Sequence, residues 1–354
     1  MKFSKHIFAP QTEIVGVALG DTHIRGLQLA GTLSSAHVVG FAEAELPKAV
    51  FGGDGGVDSE GLAHVLEQLF GRQEYGQFTT RDVAINLPES NCFVRVIHVA
   101  PMTDAEIDAA VPFEAESYIP IPVDQVYLDW KRLGEAGGRV ELLLVASPKD
   151  FVDRVLKAVE LAGLTPVSVE VQSEALARAV VALGSRETLL IADMKATRTD
   201  LVMVERGSIQ FTSTIPIAGQ SLTEAIAKGL ELQPKRAEEI KSQAGFANTT
   251  EYPNLKMLLL PILQNLVTEI KQVLTFHDQH STEKVTRILL VGGAARLAHI
   301  VEFVQESLAE REGLVVQLAD ATVNVHMDIP EGLAENKILA YGPTIGLAMR
   351  GLLQ

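Results

Sequence analysis

The chain is poor in cysteine, aromatic residues and positive charge, and each shortage excludes a class of protein. Its single cysteine, Cys92, excludes an internal disulfide and any zinc or iron–sulfur site built on several cysteines. Aromatic residues make up 5% of the 354 residues and hydrophobic residues 47%, so the cores must be mainly aliphatic. Lysine and arginine total 30 against 45 acidic residues, a net charge of −15. We therefore expect no nucleic acid as a main partner, because its phosphates would be repelled.

The sequence has no unbroken apolar run near the ~20 residues that a membrane-spanning helix needs. Its longest apolar stretches are Met257–Leu263, which contains Pro261, and Ile288–Val291. Met1–His6 carries two lysines but no apolar segment follows, which is untypical of a signal peptide. These features predict a soluble protein in a reducing, cytoplasmic setting, or one that docks to a membrane through another protein.

Two stretches of the chain, residues 14–46 and 188–217, each predict three antiparallel strands joined by tight turns. With one constant offset, Val17–Ile24 falls on Ala192–Thr199, although only Thr22 and Thr197 are identical there. An alternative interpretation is that any two such meanders would overlay this well. A duplication would place two α/β domains across a cleft, with the first turn of each aimed into it. Successive N–H groups in such turns bind phosphates, and a nearby Asp would suit Mg²⁺.

Between the two meanders, the sequence predicts a separate module. Val83–Leu87 and Phe93–Val99 are expected to pair as strands, and a helix follows a capping box at residues 103–106. Gln125–Leu133 and Arg139–Ser147 predict a second strand pair.

The duplicated meanders, together with Ile288–Leu297, resemble the actin/Hsp70/FtsA ATPase fold, in which a strand followed by Gly-Gly helps to form the adenosine site. A narrower resemblance, covering Ile14–Gly351, is to the PilM family of type IV pilus assembly proteins. The segments that carry it are Phe93–Met102, Phe113–Pro122, Val126–Trp130, Val145–Pro148, Ile215–Thr223 and Tyr341–Gly351.

The resemblance implies an α/β protein with an actin-like, RNase H-like duplicated fold and an inserted strand–helix–strand–strand subdomain. The expected division is subdomain 1A at 1–81, the insert 1C at 82–166, and a return to 1A at 167–187. Subdomain 2A then takes 188–225 and 286–335, subdomain 2B takes 226–285, and a C-terminal helix in 336–354 packs on 1A.

The resemblance also implies a role. Such proteins bind ATP and capture the cytoplasmic N-terminus of the inner-membrane protein PilN, forming a platform or ring that meets the pilus motor ATPase and other platform proteins. The aromatic residues proposed for the peptide groove are Phe113, Tyr118, Tyr127 and Trp130. The alternative interpretation is that these side chains pack in the core of the insert.

The same resemblance assigns a nucleotide site for ATP or ADP with Mg²⁺, in which Asp193 would hold the metal. The nucleotide-binding residues it implies are Gly20, Asp21, Thr22, Arg25, Asp193, Lys195, Ala196, Thr197, Gly219, Glu238, Lys241, Gly292, Gly293, Ala294 and Arg296.

The phosphate turns depart from the family pattern. Ala18 stands where the family has Asp, and Asp21 adds negative charge where phosphates would approach. Arg25 replaces a Lys, and Lys195 stands near the expected Gly of the second turn. One interpretation is ATP binding with little hydrolysis, and the other is a nucleotide-free scaffold. The alternative function is an active Mg-ATPase or kinase, for which the sequence marks no catalytic base.

Overall fold

The computed structural model describes residues 13–51, 56–333 and 337–353. Met1–His6, on which the prediction about a signal peptide depends, lies outside the described residues. So does the predicted boundary between residues 335 and 336, and the other subdomain boundaries stay predictions.

Strands alternate with helices along the described chain. The strands are β1 (Val15–Leu19), β2 (His23–Thr32), β3 (Ser35–Glu45), β4 (Tyr75–Gly76), β5 (Asp82–Leu87), β6 (Phe93–Val99), β7 (Val126–Ala136), β8 (Arg139–Pro148), β9 (Thr165–Val171), β10 (Thr188–Met194), β11 (Thr199–Glu205), β12 (Ser208–Ile215), β13 (Arg287–Val291), β14 (Val315–Leu318) and β15 (Met327–Asp328). The helices are α1 (Ser59–Gly71), α2 (Asp104–Ala115), α3 (Lys149–Leu161), α4 (Gln172–Val180), α5 (Gly219–Gly229), α6 (Pro234–Ala244), α7 (Leu255–His280), α8 (Ile300–Ser307) and α9 (Gly342–Ala348).

Two sheets repeat one topology. The first has the order β15-β3-β2-β1-β5-β9, with β4 beside β3, and the second has the order β14-β13-β10-β11-β12-β6-β8-β7. Within them, β3-β2-β1-β5-β9 and β12-β11-β10-β13-β14 match strand for strand. In each series, read in the order given, the first two pairs of neighbouring strands are antiparallel and the last two are parallel. The aliphatic core between the sheets contains side chains of α4 and α9.

The strand register confirms the duplication. The last pair of the β1–β2 hairpin is Leu19 with Ile24, and that of the β10–β11 hairpin is Met194 with Thr199. Leu19 and Met194 are 175 positions apart, and so are Ile24 and Thr199. This is the offset that the sequence predicts. The turns at 20–22 and 195–197 therefore occupy equivalent places in the two halves.

The insert has the predicted strand–helix–strand–strand order, formed by β6, α2, β7 and β8. Helix α2 begins with the predicted capping box, in which Thr103 and Glu106 bond each other's backbone. The predicted pairing of 83–87 with 93–99 is wrong, because β5 already has β1 and β9 on its two sides. A short 3-10 helix at Glu89–Asn91 instead carries the chain to the second sheet, where β6 lies between β8 and β12.

Among the described residues, α7 is the one helix that is long and apolar enough to span a membrane by length and composition alone, with 26 residues and an 18-residue window of mean hydropathy 1.2. The sequence analysis did not single it out because Gln264-Asn265, Glu269 and Lys271 divide its apolar residues into short runs. A core helix passes the same test, and α7 packs one side into the core of the second half.

Helix α9 lies in backbone contact with both α4 and β1. A Cβ atom added to Gly346 would lie 1.8 Å from the Ala175 carbonyl oxygen, and one added to Gly16 would lie 2.4 Å from the Ala348 nitrogen. Only glycine permits this approach. The last helix thereby fixes the first strand, which leads into the turn at 20–22.

We expect Gly346→Ala to lower the free energy of unfolding by about 2–4 kcal/mol, because the helix must move away from α4. Gly71→Ala is the matched control, since nothing lies within 4 Å of a Cβ at that position in α1. Alanine there should be neutral or stabilising by up to ~1 kcal/mol. Urea unfolding measures both, and equal midpoints for the two variants would contradict the close packing.

Candidate functional site

The two equivalent turns face each other, and Asp21 joins them. Its side chain is 4% exposed, and its Oδ1 lies 3.0 Å from the Arg198 Nε. Its Oδ2 accepts hydrogen bonds from the Thr197 amide at 3.2 Å and the Thr197 hydroxyl at 2.5 Å. A carboxylate of the first turn therefore binds the backbone and side chains of the second.

The other residues of the first turn are engaged locally. The Gly20 amide donates to the His23 carbonyl at 3.1 Å, and the Thr22 hydroxyl lies 2.9 Å from the His23 Nδ1. Arg25 does not point at the second turn. Its Nε lies 2.6 Å from Glu43, and its guanidinium lies over the Tyr341 ring.

Asp193 and Lys195 are directed into the protein interior. The Asp193 Oδ2 accepts from the Gln172 amide at 2.7 Å and lies 3.7 Å from the Lys195 Nζ. The Lys195 ammonium also donates to Asp200, whose other carboxylate oxygen accepts from Thr214 at 2.6 Å. The Lys195 side chain is 10% exposed, so its charge neutralises buried acids and is not presented to the cleft.

Burial and mutual charge shift the titration of this pair. Burial raises the pKa of Asp193 to about 6, with Lys195 opposing the shift and Asp200 adding to it. Burial alone would lower the pKa of Lys195, but Asp200 and Asp193 raise it above its usual value. Lys195 therefore stays charged over the whole range in which Asp193 titrates.

These contacts do not fit a Mg²⁺ ion on Asp193. Magnesium requires oxygen ligands in near-octahedral geometry and keeps several waters, whereas this carboxylate is buried against an ammonium and an amide. Ala18, the equivalent of Asp193 in the first half, offers no oxygen. Within residues 13–51, 56–333 and 337–353, no three His, Cys, Asp or Glu side chains are grouped to hold a metal.

Several residues predicted for the adenosine side of the cleft lie close together. Gly292 has φ +89°, and a Cβ there would lie 2.6 Å from the Asp193 Oδ1. A Cβ on Gly219 would lie 3.2 Å from the Ala294 Cβ and 3.5 Å from the Lys241 Nζ. The loop after β13 and the start of α5 thus meet beside the second turn.

Further contacts tie this side together. The Lys241 Nζ donates to the Gly219 carbonyl at 3.0 Å and to Glu238 at 2.7 Å. Burial alone would raise the pKa of Glu238, but hydrogen bonds from Lys241 and Thr223 lower it. Ala196 and Arg296, two further residues predicted for the nucleotide site, form hydrogen bonds with nearby backbone groups. The Ala196 carbonyl accepts from the Gln220 amide, and the Arg296 Nε donates to the Gly293 carbonyl.

A buried chain of amides, which the sequence analysis missed, links the two sheets below the turns. The Leu19 amide donates to the Asn86 Oδ1 at 2.6 Å, and the Asn86 Nδ2 donates to the Gln172 Oε1 at 3.2 Å. Gln172 then donates to Asp193. The sequence feature that could have indicated this chain is Asn86, a polar residue inside the apolar run Val83–Leu87.

Glu89, also missed, lies buried where the chain crosses between the sheets. Its carboxylate accepts from the Ser173 amide at 3.1 Å and the Ser173 hydroxyl at 3.2 Å. Burial, and after it the charge of Asp200, raises the pKa of Glu89 to about 7. The segment is therefore a polar joint between the insert and both halves.

A cavity of about 600 Å³ lies between the insert and the first half. It is lined by Gly56, Ser90, Asn91, Cys92, Phe93, Ile119, Pro120, Ile121, Val126, Ala146, Pro148, Asp150, Phe151 and Arg154. A second cavity of about 510 Å³ shares its wall at Ile119–Ile121. The two spaces follow one segment of chain after α2.

The four aromatic residues predicted for a peptide groove do not line the larger cavity. Phe113 is 76% exposed on α2, and Tyr118 lies near the Arg95 guanidinium. The Tyr127 hydroxyl donates to Asp153, and the Trp130 Nε1 donates to Asp108. The structure therefore does not gather these rings into one site, and their role in peptide binding stays a prediction.

Comparison with known proteins identifies relatives. A sequence model of the family described as type IV pilus assembly protein PilM matches residues 16–352. The cell division protein FtsA of Streptococcus pneumoniae is 27% identical over 208 residues, which are 52% of this chain and 45% of that protein. The chain spans about half the length of the curated relatives it matches.

Solved structures share the fold. A PilM–PilN type IV pilus biogenesis complex superposes with a TM-score of 0.81 and 24% identity, covering 97% of this chain and 99% of that one. MreB 5 of Spiroplasma citri bound to AMPPNP has a TM-score of 0.54 and 13% identity, covering 96% and 95%. The predicted actin-like fold with two mixed, duplicated sheets is confirmed.

Replacing Glu89 with Gln should stabilise the protein increasingly as pH rises. Between its ordinary pKa of 4.5 and the folded value of about 7, the folded state holds a proton that the unfolded state has lost. Stability from this group therefore falls across that window, by up to about 3 kcal/mol. Because Gln mimics the protonated acid, the advantage of Glu89→Gln should grow from pH 4.5 to 7.

Urea unfolding at several pH values measures this difference. Glu114→Gln makes the same change at an exposed position of α2 and is the matched control. A Glu89→Gln variant whose stability runs parallel to the wild type at every pH would show that Glu89 does not titrate in this range.

Proposed function

The chain belongs to the PilM family of type IV pilus assembly proteins, and on that premise we propose that it is a cytoplasmic scaffold of the pilus assembly platform. It binds the N-terminal cytoplasmic peptide of PilN and so becomes peripheral at the inner face of the membrane. The observation that carries the proposal is the cavity between the insert and the first half, together with the family match. Contacts with the pilus motor ATPase, and assembly into a ring, belong to the same proposal.

The cavity suits an extended peptide. Its wall is formed by apolar groups, among them Phe93, Ile121 and Phe151, while Ser90 and Asn91 supply polar atoms. Extended peptides bind through backbone hydrogen bonds and through pockets for alternate side chains. A PilN segment of alternating apolar residues would match this combination.

We propose further that the cleft binds ATP weakly or not at all and hydrolyses it little. Asp21 already binds the Thr197 amide and the Arg198 guanidinium, which a phosphate would need as partners. Lys195 is paired with buried acids. Asp193 does not fit a metal ion, as argued above. The same contacts weigh against the alternative of an active Mg-ATPase or kinase, whose rate would depend on a positioned metal.

Ile121→Asp is expected to weaken binding of a synthetic PilN N-terminal peptide at least tenfold, because a carboxylate would replace an apolar wall of the cavity. Isothermal titration or fluorescence anisotropy measures the affinity, with thermal unfolding as the check on folding. The matched control is Phe113→Asp, which places the same charge on an exposed aromatic position outside the cavity.

The two variants also decide between two positions for the groove. Loss of binding in Phe113→Asp alone would place the peptide on the aromatic residues predicted from the sequence. Wild-type protein that binds no peptide at high micromolar concentration, with or without ATP, would overturn the proposed scaffold role.

Single-turnover ATP hydrolysis should be at background for the wild type and unchanged in Asp193→Ala, since the Asp193 carboxylate is engaged by Lys195 and Gln172. Release of labelled phosphate from ATP in the presence of Mg²⁺ measures it. Clear turnover that the substitution abolishes would establish the ATPase alternative.

A further inference from the structure

Asp21 makes the contacts that a bound phosphate group makes. Its two oxygens receive a backbone amide, a hydroxyl and a guanidinium, all from the adjacent residues Thr197 and Arg198. Amides at tight turns, hydroxyl groups and arginine are the usual donors to phosphate oxygens. The acceptor here is an oxyanion of the protein itself.

We propose that the Asp21 carboxylate occupies the place of a nucleotide phosphate and holds the two turns together without nucleotide. The Thr197 amide and hydroxyl and the Arg198 guanidinium form a latent phosphate-binding site, which opens when the Asp21 side chain is shortened. This inference rests on the proposed function, in which the cleft does not depend on ATP, and it names the group responsible.

The charges around the site explain why one anion excludes another. Asp21, Asp193 and Asp200 all lie close enough for their charges to act on Lys195. A phosphate entering beside them would meet a carboxylate already bound to its donors, and like charges at such distances repel. Removing the Asp21 carboxylate therefore supplies both the space and the donors.

Asp21→Ala should bind ATP at least tenfold more tightly than the wild type, in titrations with ATP, ADP, adenosine and inorganic phosphate. The gain should appear with the phosphate-bearing ligands and be absent for adenosine. If inorganic phosphate gains as much affinity as ATP, the site takes a free anion, and if ATP gains more, the adenosine side contributes. Either result supports a latent phosphate site.

Two variants test the assigned donors. The double variant Asp21→Ala/Arg198→Ala should lose the gain, because it lacks the guanidinium. Asp278→Ala, which breaks a comparable ion pair to Arg311 at 2.9 Å elsewhere, should show no gain. Unchanged ATP affinity in Asp21→Ala, or an equal gain in the double variant, would overturn the proposal.

Amide hydrogen exchange of the wild type tests the proposal without a variant that might not fold. Thr197 lies at an exposed turn, yet its amide should be protected in the absence of nucleotide because it donates to Asp21. Rapid exchange at Thr197 would contradict the contact. Peptide titrations on the same samples report separately on the scaffold role, since Asp21 does not line the cavity proposed for the peptide.

Discussion

The structure depends on one buried chain of hydrogen bonds whose direction is set at both ends. The Leu19 amide only donates and the ionised Asp193 only accepts, so the side-chain amides of Asn86 and Gln172 between them have one consistent orientation. The chain begins at the end of β1 and finishes at the end of β10. Because an unpaired buried amide costs about 1–3 kcal/mol, the two strand ends, and the turns that follow them, are held in one relative position.

That position explains the chemistry of the cleft. With the turns held close, the Asp21 carboxylate reaches Thr197 and Arg198. Below them, Lys195 offsets part of the negative charge of the buried acids. Gly219 and Gly292 allow close approaches beside the second turn. The two turns themselves form a structural joint between the two sheets.

Repetition and local patterns made much of the fold predictable. The offset between the halves follows from the strand–turn–strand pattern, and the capping box at Thr103 follows from four residues of sequence. The pairing of β5 was not predictable, because nothing local shows that its edges are taken by β1 and β9. Similarly, the sequence itself shows that Asp21 and Lys195 depart from the family pattern of the phosphate turns. The contact of Asp21 with Arg198 depends on how two distant turns meet, and that of Lys195 with Asp200 depends on the pairing of β10 with β11.

The same contacts bear on how the cavity beside the insert keeps its shape. Ser90 and Asn91 of the crossing segment line it. That segment is held by the bonds from Ser173 to Glu89 and from the Ser147 hydroxyl to the Asn91 carbonyl, the latter at 3.0 Å. Arg198 supports the segment from outside the lining, because its guanidinium bonds both Ser90 and Asp21. Under the proposed scaffold role, the cavity offered to a peptide is therefore held in shape by side chains of the insert and of both halves.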